Sequence, residues 1–160
     1  MEANQFSHSE KTSTKTTKNQ YATITLNKPT NAFIGASWIA LLTGMVSYCI
    51  GLWNAQMALN EKGYYFSILL FGLFSVISVQ KSVRDRLEGI PVTDMYYGIS
   101  WFTTLVSILL LIIGLWNAKL QLNEKGFYAM SFLLSLFAAI TVQKNTRDLL
   151  VSSKTEKFED

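Results

Sequence analysis

The strongest constraint in this sequence is a set of four apolar stretches that contain no charged residue. They are residues 32–53, 63–79, 95–116 and 126–142. The first and third have 22 residues each, enough for an α-helix to cross a hydrocarbon core of about 30 Å. The other two have 17 each, which is near the lower limit for a span. The lysines that follow these two can extend their reach to the membrane surface.

These stretches predict an integral membrane protein rather than a soluble helical bundle. A surface helix of a soluble bundle carries charged residues along one face, whereas residues 66–74 and 108–113 are apolar on every side. The charged fraction of 16% is also well below the roughly 25% typical of soluble domains. Because backbone groups in lipid must bond internally, we predict an all-α fold with four transmembrane helices arranged as two tandem helical hairpins.

The chain is also self-similar at an offset of 63 residues, without a gap. The sequence at 51–55 recurs at 114–118, that at 59–63 recurs at 122–126, and that at 79–81 recurs at 142–144. Each copy holds two spans, so both copies should enter the membrane in the same direction. We therefore divide the chain into a disordered polar tail (1–31), a first two-helix membrane repeat (32–90), a second such repeat (91–150) and a short tail (151–160).

The distribution of lysine and arginine predicts the orientation in the membrane. One side would carry both tails and the loop from 80 to 94, with eleven of these residues, and the other side would carry two short loops with three. Basic segments stay in the cytoplasm, so both termini should be cytoplasmic. The net charge of +3 then reflects topology and contact with anionic lipid rather than nucleic acid.

Three motifs, each present twice, give the chain a family resemblance. They are Gly-Leu-Trp-Asn-Ala, Leu-Asn-Glu-Lys-Gly-(Tyr/Phe)-Tyr and Val-Gln-Lys-x-x-Arg-Asp. Over about residues 33–150 the chain resembles the bacterial YiaA/YiaB inner membrane proteins, and most of all the YiaA members, which also carry two copies of the two-helix domain. The resemblance implies a multi-pass protein of the bacterial inner membrane. It implies no reaction, ligand or transport activity.

Repeated amides at the ends of the spans are the candidate binding residues. Two interpretations of these amides are possible: a ligand or ion site made of pseudo-symmetric amides, or helix-end hydrogen bonds and contacts between helices. We favour the second, because no charged residue accompanies the amides inside the membrane. The amides are Asn54, Asn117, Gln80 and Gln143.

Other repeated residues are expected to have structural roles. Small residues at four-residue spacing, over 36–44 and 131–139, predict close packing of helices within the chain in preference to dimerisation. The interface anchors are expected to be Trp38, Trp53, Trp101 and Trp116. The first and third helices should continue to about residues 61 and 124 and end at glycines with positive φ. The residues expected in these hairpin turns are Glu61, Gly63, Glu124 and Gly126.

The sequence contains few residues of the types that usually carry out catalysis. His8 is the only histidine and Cys49 the only cysteine. We find no nucleophile with a base beside it, no phosphate-binding glycine loop and no spacing typical of metal ligands. We therefore predict no catalytic, metal or cofactor-binding site and no enzyme activity. The predicted partners are the lipid bilayer and either another copy of the chain or a second membrane protein, and not nucleic acid.

Two hypotheses about function follow. The first is a structural or interaction component of the bacterial inner membrane, with an envelope stress response as one setting. The alternative is a channel or transporter subunit for a small neutral solute, suggested by the parallel repeat and its matching amides. The charge-free spans weigh against ion-coupled transport, because such transporters usually place ionisable groups inside the membrane.

Overall fold

The computed structural model describes residues 29–156, with side chains as far as Ser153. This part of the chain forms four α-helices: α1 (Asn31–Asn54), α2 (Leu59–Leu87), α3 (Asp94–Asn117) and α4 (Leu122–Glu156). Each helix is long and apolar enough to cross a membrane, which confirms the predicted all-α fold with four spans. Residues 1–28 of the predicted first tail lie outside the described residues. At the other end of the chain, α4 continues to residue 156, within the segment predicted as the second tail.

Threonine side chains cap the helices that begin each repeat. The Oγ1 atoms of Thr30 and Thr93 accept hydrogen bonds from the backbone N–H groups of Phe33 and Tyr96, at 3.3 Å each. Each bond satisfies one of the free amides in the first turn of a helix. The starts of α1 and α3 are therefore set by their local sequence.

The structure corrects the prediction at both hairpin turns. α1 ends at Asn54 and α3 at Asn117, rather than near residues 61 and 124. The reason is that Glu61 and Glu124 begin the next helix. Their Oε2 atoms accept hydrogen bonds from the backbone nitrogens at positions 58 and 121, at 2.9 Å each.

The predicted glycine turns are displaced for the same reason. Gly63 and Gly126 lie in the second turns of α2 and α4, and among the described residues only Gly89 has a positive φ, of 74°. The connections are instead the short segments 55–58 and 118–121. We call the end of the molecule that carries them the turn end, and the opposite end the terminal end.

The helices pack on partners from the other repeat. α1 lies along α4 and α2 lies along α3, while α2 also contacts α4, so the spatial order is α1, α4, α2, α3. The two helices of the first hairpin, α1 and α2, contact each other much less. The two repeats therefore exchange packing partners, so that neither hairpin is an independent packing unit.

Glycines allow the exchanged helices to approach closely at equivalent places. A β-carbon on Gly51 of α1 would come 3.1 Å from a ring carbon of Tyr128 on α4. A β-carbon on Gly114 of α3 would come 3.2 Å from the same ring carbon of Tyr65 on α2. The two glycines are 63 residues apart, and so are the two tyrosines, so the two interfaces repeat the same contact.

Large side chains fill the centre of the bundle. Tyr48, Leu69 and Phe132 have no exposed surface, and Tyr65 and Tyr128 are each 4% exposed. The Tyr48 ring lies edge-on to Tyr128 with 5.5 Å between centroids, and its hydroxyl donates a hydrogen bond to the Tyr65 carbonyl oxygen at 3.1 Å. Many other large apolar side chains lie on the outside, where the bilayer would cover them.

Polar contacts join the repeats at the terminal end. The Asn145 amide nitrogen on α4 donates a hydrogen bond to the Ser37 hydroxyl on α1 at 3.1 Å, and both residues are buried. Beyond them, Arg147 forms an ion pair with Glu88, with 3.1 Å between Nη1 and Oε1. These contacts again link the first repeat to the second.

Candidate functional site

The exchanged packing creates a polar cleft at the turn end, between the end of α3 and the start of α2. Its cavity volume is about 620 Å³. Because α3 belongs to the second repeat and α2 to the first, the cleft exists only where the two repeats meet. Its main lining residues are Gly114 and Asn117 of α3, and Asn60, Glu61, Tyr64 and Tyr65 of α2.

A second cleft of about 440 Å³ lies between the end of α1 and the start of α4. Every residue that lines it has its repeat equivalent in the first cleft. We refer to the two as the α2/α3 cleft and the α1/α4 cleft. The main lining residues of the α1/α4 cleft are Gly51 and Asn54 of α1, and Asn123, Glu124, Phe127 and Tyr128 of α4.

The asparagines predicted as binding residues line the two clefts, one in each. The Nδ2 atom of Asn54 donates to the Ile50 carbonyl oxygen at 2.9 Å, and that of Asn117 donates to Ile113 at 2.8 Å. Each amide therefore closes the last turn of its own helix. The amide nitrogen is occupied by this hydrogen bond, whereas the amide oxygen makes no hydrogen bond within the described residues and remains available as an acceptor.

The glutamates predicted in the turns also line the clefts. One oxygen of each carboxylate caps its helix, and the other makes no hydrogen bond with a described residue. The neighbouring lysines reach away from the clefts: Lys62 Nζ donates to the Trp53 carbonyl oxygen at 3.0 Å, and Lys125 Nζ lies 3.4 Å from that of Trp116. Each cleft thus keeps a carboxylate while the adjacent ammonium group binds a helix end.

Two tyrosines complete the clefts, and they were missed from the sequence. Tyr65 and Tyr128 are almost fully buried, yet neither hydroxyl makes a hydrogen bond to another residue in the described part of the chain. Each hydroxyl borders its cleft, 3.2 Å from a β-carbon on Gly114 and 3.3 Å from one on Gly51, respectively. The sequence feature that could have identified them is the tyrosine at the end of the repeated Asn-Glu-Lys-Gly-(Tyr/Phe)-Tyr motif.

The predicted glutamines lie elsewhere. Gln80 and Gln143 are about 20 Å from the tyrosines along α2 and α4, at 1.5 Å per residue, and so belong to the terminal end. Their Oε1 atoms are buried and have no hydrogen-bond partner among the described residues. The four predicted amides are therefore not brought together in one site.

The four tryptophans predicted as interface anchors lie near the two ends of the helices. Trp53 and Trp116 are strongly exposed at the turn end, and Trp38 and Trp101 are exposed nearer the terminal end. The role of all four as interface anchors stays a prediction. Within the residues that the structure describes, no three His, Cys, Asp or Glu side chains are grouped so that they could hold a metal ion.

Comparison with known proteins gives consistent matches. The model of the YiaA/B two-helix domain family matches residues 33–85 and again 96–148. The inner membrane protein YiaA of Escherichia coli K12 is 56% identical over 125 residues, which cover 78% of this chain and 86% of that protein. The inner membrane protein YiaB of the same strain is 28% identical over 102 residues, covering 62% and 84%.

A third relative matches a smaller part of the chain. The uncharacterised membrane protein YubF of Bacillus subtilis 168 is 45% identical over 60 residues, which cover 37% of this chain and 69% of that protein. No solved structure matches this chain. The two family matches coincide with the two repeats read from the sequence, so the internal duplication is confirmed.

Proposed function

This chain belongs to the YiaA/YiaB two-helix domain family of membrane proteins, and we propose that it acts as a structural or interaction component of the bacterial inner membrane. In this proposal it is neither an enzyme nor a channel. Both termini would lie in the cytoplasm, because eleven of its fourteen basic residues lie at the terminal end or in the tails. An envelope stress response is the setting we propose for this role.

The observation that carries the proposal is the filled centre of the bundle. Tyr48, Leu69 and Phe132 are fully buried there, and the rings of Tyr65 and Tyr128 stack with 6.1 Å between centroids. A solute path between the helices would have to pass through the space that these side chains occupy. Opening such a path would require the displacement of close-packed aromatic rings, which favours an interaction role over a channel.

The terminal end supplies a surface suited to a protein partner. α2 and α4 extend beyond their apolar stretches, and these extensions carry the charged residues of the repeated Arg-Asp motif. Arg84 bonds Asp85, with 2.7 Å between Nη2 and Oδ1, and is itself partly exposed. A rigid, charged surface held at the membrane is suited to docking a partner through complementary charge.

The channel alternative draws its support from the two clefts. They are polar, they recur at equivalent positions, and each contains one of the asparagines singled out from the sequence. The two clefts lie at the same end of the bundle, however, and the aromatic centre lies beneath them. They are better suited to binding than to conduction.

Liposome flux separates the two candidates. We expect purified protein to leave the permeability of liposomes to glycerol and urea at the level of protein-free vesicles. Faster flux that is abolished in Asn54→Leu/Asn117→Leu would contradict the interaction proposal and favour a channel.

Photo-crosslinking in cells tests the proposed interaction directly. A photoreactive residue at position 81, exposed on the terminal end, should give a discrete adduct that weakens when Arg84 and Arg147 are replaced by glutamine. The matched control is the same residue at position 74, on the outer apolar face, which should give no such adduct. Identical adducts from both positions would contradict a specific partner at the terminal end.

A further inference from the structure

We propose that each of the two clefts at the turn end binds a primary ammonium group. The group could come from a soluble amine or from the headgroup of an ethanolamine phospholipid. Both clefts lie at the turn end, so this binding site is independent of the interaction role proposed for the terminal end.

The first observation is a pair of tyrosine hydroxyls that have no hydrogen-bond partner within the described residues. Tyr65 and Tyr128 are each 4% exposed, and each hydroxyl borders its cleft. The rings are buried but the hydroxyls reach the surface of the clefts, so a hydrogen-bond partner for each must come from its cleft, whereas phenylalanine would pack the same ring without needing one. The chain nevertheless has tyrosine at both positions, which points to a hydrogen-bonding ligand in the clefts.

The second observation is the chemistry of the other groups that line the clefts. In the α1/α4 cleft, the Asn54 amide oxygen and one Glu124 oxygen are left as acceptors, since the Asn54 nitrogen and the other Glu124 oxygen serve the helix ends. The Tyr128 hydroxyl oxygen can also accept. Three acceptors that line one cleft, one of them charged, match in number the three N–H donors of a primary ammonium group.

Other classes of ligand fit less well. A calcium ion takes six to eight oxygen ligands, typically with several carboxylates, whereas each cleft has one carboxylate. An anion would be repelled by that carboxylate. Quaternary ammonium groups have no N–H donors and would leave the acceptors unpaired.

The two clefts differ in charge, so we expect them to prefer different amine ligands. The residues that line the α1/α4 cleft include Glu124 and no basic residue. The α2/α3 cleft includes both Glu61 and Lys119. We therefore expect the α1/α4 cleft to favour a simple amine, and the α2/α3 cleft to favour a zwitterion whose anionic group can meet Lys119.

The internal repeat supports a role for the clefts beyond packing. The residues at equivalent positions are identical for the cleft asparagines, glutamates, glycines and buried tyrosines. In the packed centre, by contrast, Tyr48 is matched by Leu111 and Leu69 by Phe132. Helix capping and close approach account for the asparagine, glutamate and glycine, but not for the two tyrosine hydroxyls.

The test uses the full-length protein in detergent, with a variant that removes only the two hydroxyls, Tyr65→Phe/Tyr128→Phe. The matched control is Tyr96→Phe, at an exposed tyrosine near the terminal end. Ligand-observed NMR measures binding of ethanolamine against choline, and native mass spectrometry measures retention of phosphatidylethanolamine against phosphatidylcholine. Thermal unfolding of each variant establishes that it is folded.

We expect wild type and Tyr96→Phe to bind the primary amine in preference to its trimethylated counterpart, and the double variant to bind it about tenfold more weakly. A preference seen only in the NMR comparison of ethanolamine with choline identifies the ligand as a soluble amine. A preference seen only in the mass-spectrometric comparison of the two lipids identifies it as the lipid headgroup. Either result supports the site. No preference in either arm, or equal binding by the folded double variant, would overturn it.

Discussion

Gly44 of α1 lies directly against Ser135 of α4. A β-carbon on residue 44 would come 2.6 Å from the Ser135 Oγ and 2.9 Å from its backbone nitrogen. The contact joins the two small-residue segments that the sequence predicted as packing surfaces. It lies between the first helix of one repeat and the second helix of the other, so it belongs to the exchanged interface.

The first prediction is that Gly44→Ala destabilises the protein. The added methyl group meets the backbone of α4 and forces the two helices apart, at a cost of about 1–3 kcal/mol. Gly35→Ala is the matched control, since no atom outside its own helix backbone lies within 4 Å of a β-carbon there. It should be neutral or slightly stabilising. Thermal unfolding in detergent measures both, and equal unfolding temperatures would contradict the close α1–α4 contact.

The second prediction concerns the ion pair between Arg147 and Glu88, which links the repeats at the terminal end. Their side chains are 37% and 46% exposed, so solvent screens the interaction. Glu88→Gln should therefore lower the free energy of unfolding by less than about 1 kcal/mol. A larger loss in denaturant titrations would contradict the solvent screening of this ion pair.

The third prediction concerns orientation. In a Cys49→Ala background, Gln121→Cys at the turn end should react with an impermeant thiol reagent added to intact spheroplasts, and Lys154→Cys should not. Permeabilisation should expose position 154 and serves as the control for its reactivity. Labelling of position 154 in intact spheroplasts would reverse the proposed topology.

The four helices could be predicted from the sequence because lipid leaves a chain few choices. Stretches such as 95–116 have no charged residue and must form helices to satisfy their backbone groups. The turns were predicted less well, because the segment before Glu61 is apolar enough to continue α1. The contact that marks the start of α2 is the bond from the Ala58 nitrogen to the Glu61 carboxylate, and alanine before a helix gives no visible capping signal.

The exchange of partners could not be predicted from the repeat. A duplication at an offset of 63 residues fits two self-packed hairpins as well as two exchanged ones, because both arrangements bury the same faces. The clefts depend on that choice. Asn54 shares a cleft with Tyr128, and Asn117 with Tyr65, only because each hairpin packs on the other, so the sequence could single out the amides but not their grouping with the tyrosines.

Disulfide cross-linking distinguishes the exchanged packing from two self-packed hairpins. In a Cys49→Ala background, Ser37→Cys/Asn145→Cys places thiols on α1 and α4 where the wild-type side chains are hydrogen-bonded. The comparison pair, Ser37→Cys/Ser82→Cys, places them on α1 and α2 of the same hairpin. A protease site in the 88–93 loop reveals the first cross-link, and one in the 55–58 turn reveals the second.

After mild oxidation and cleavage, the exchanged packing predicts that the 37–145 pair holds its two fragments together on a non-reducing gel, while the 37–82 pair lets them separate. Efficient cross-linking of 37 to 82, without cross-linking of 37 to 145, would contradict it and would show that each hairpin packs on itself.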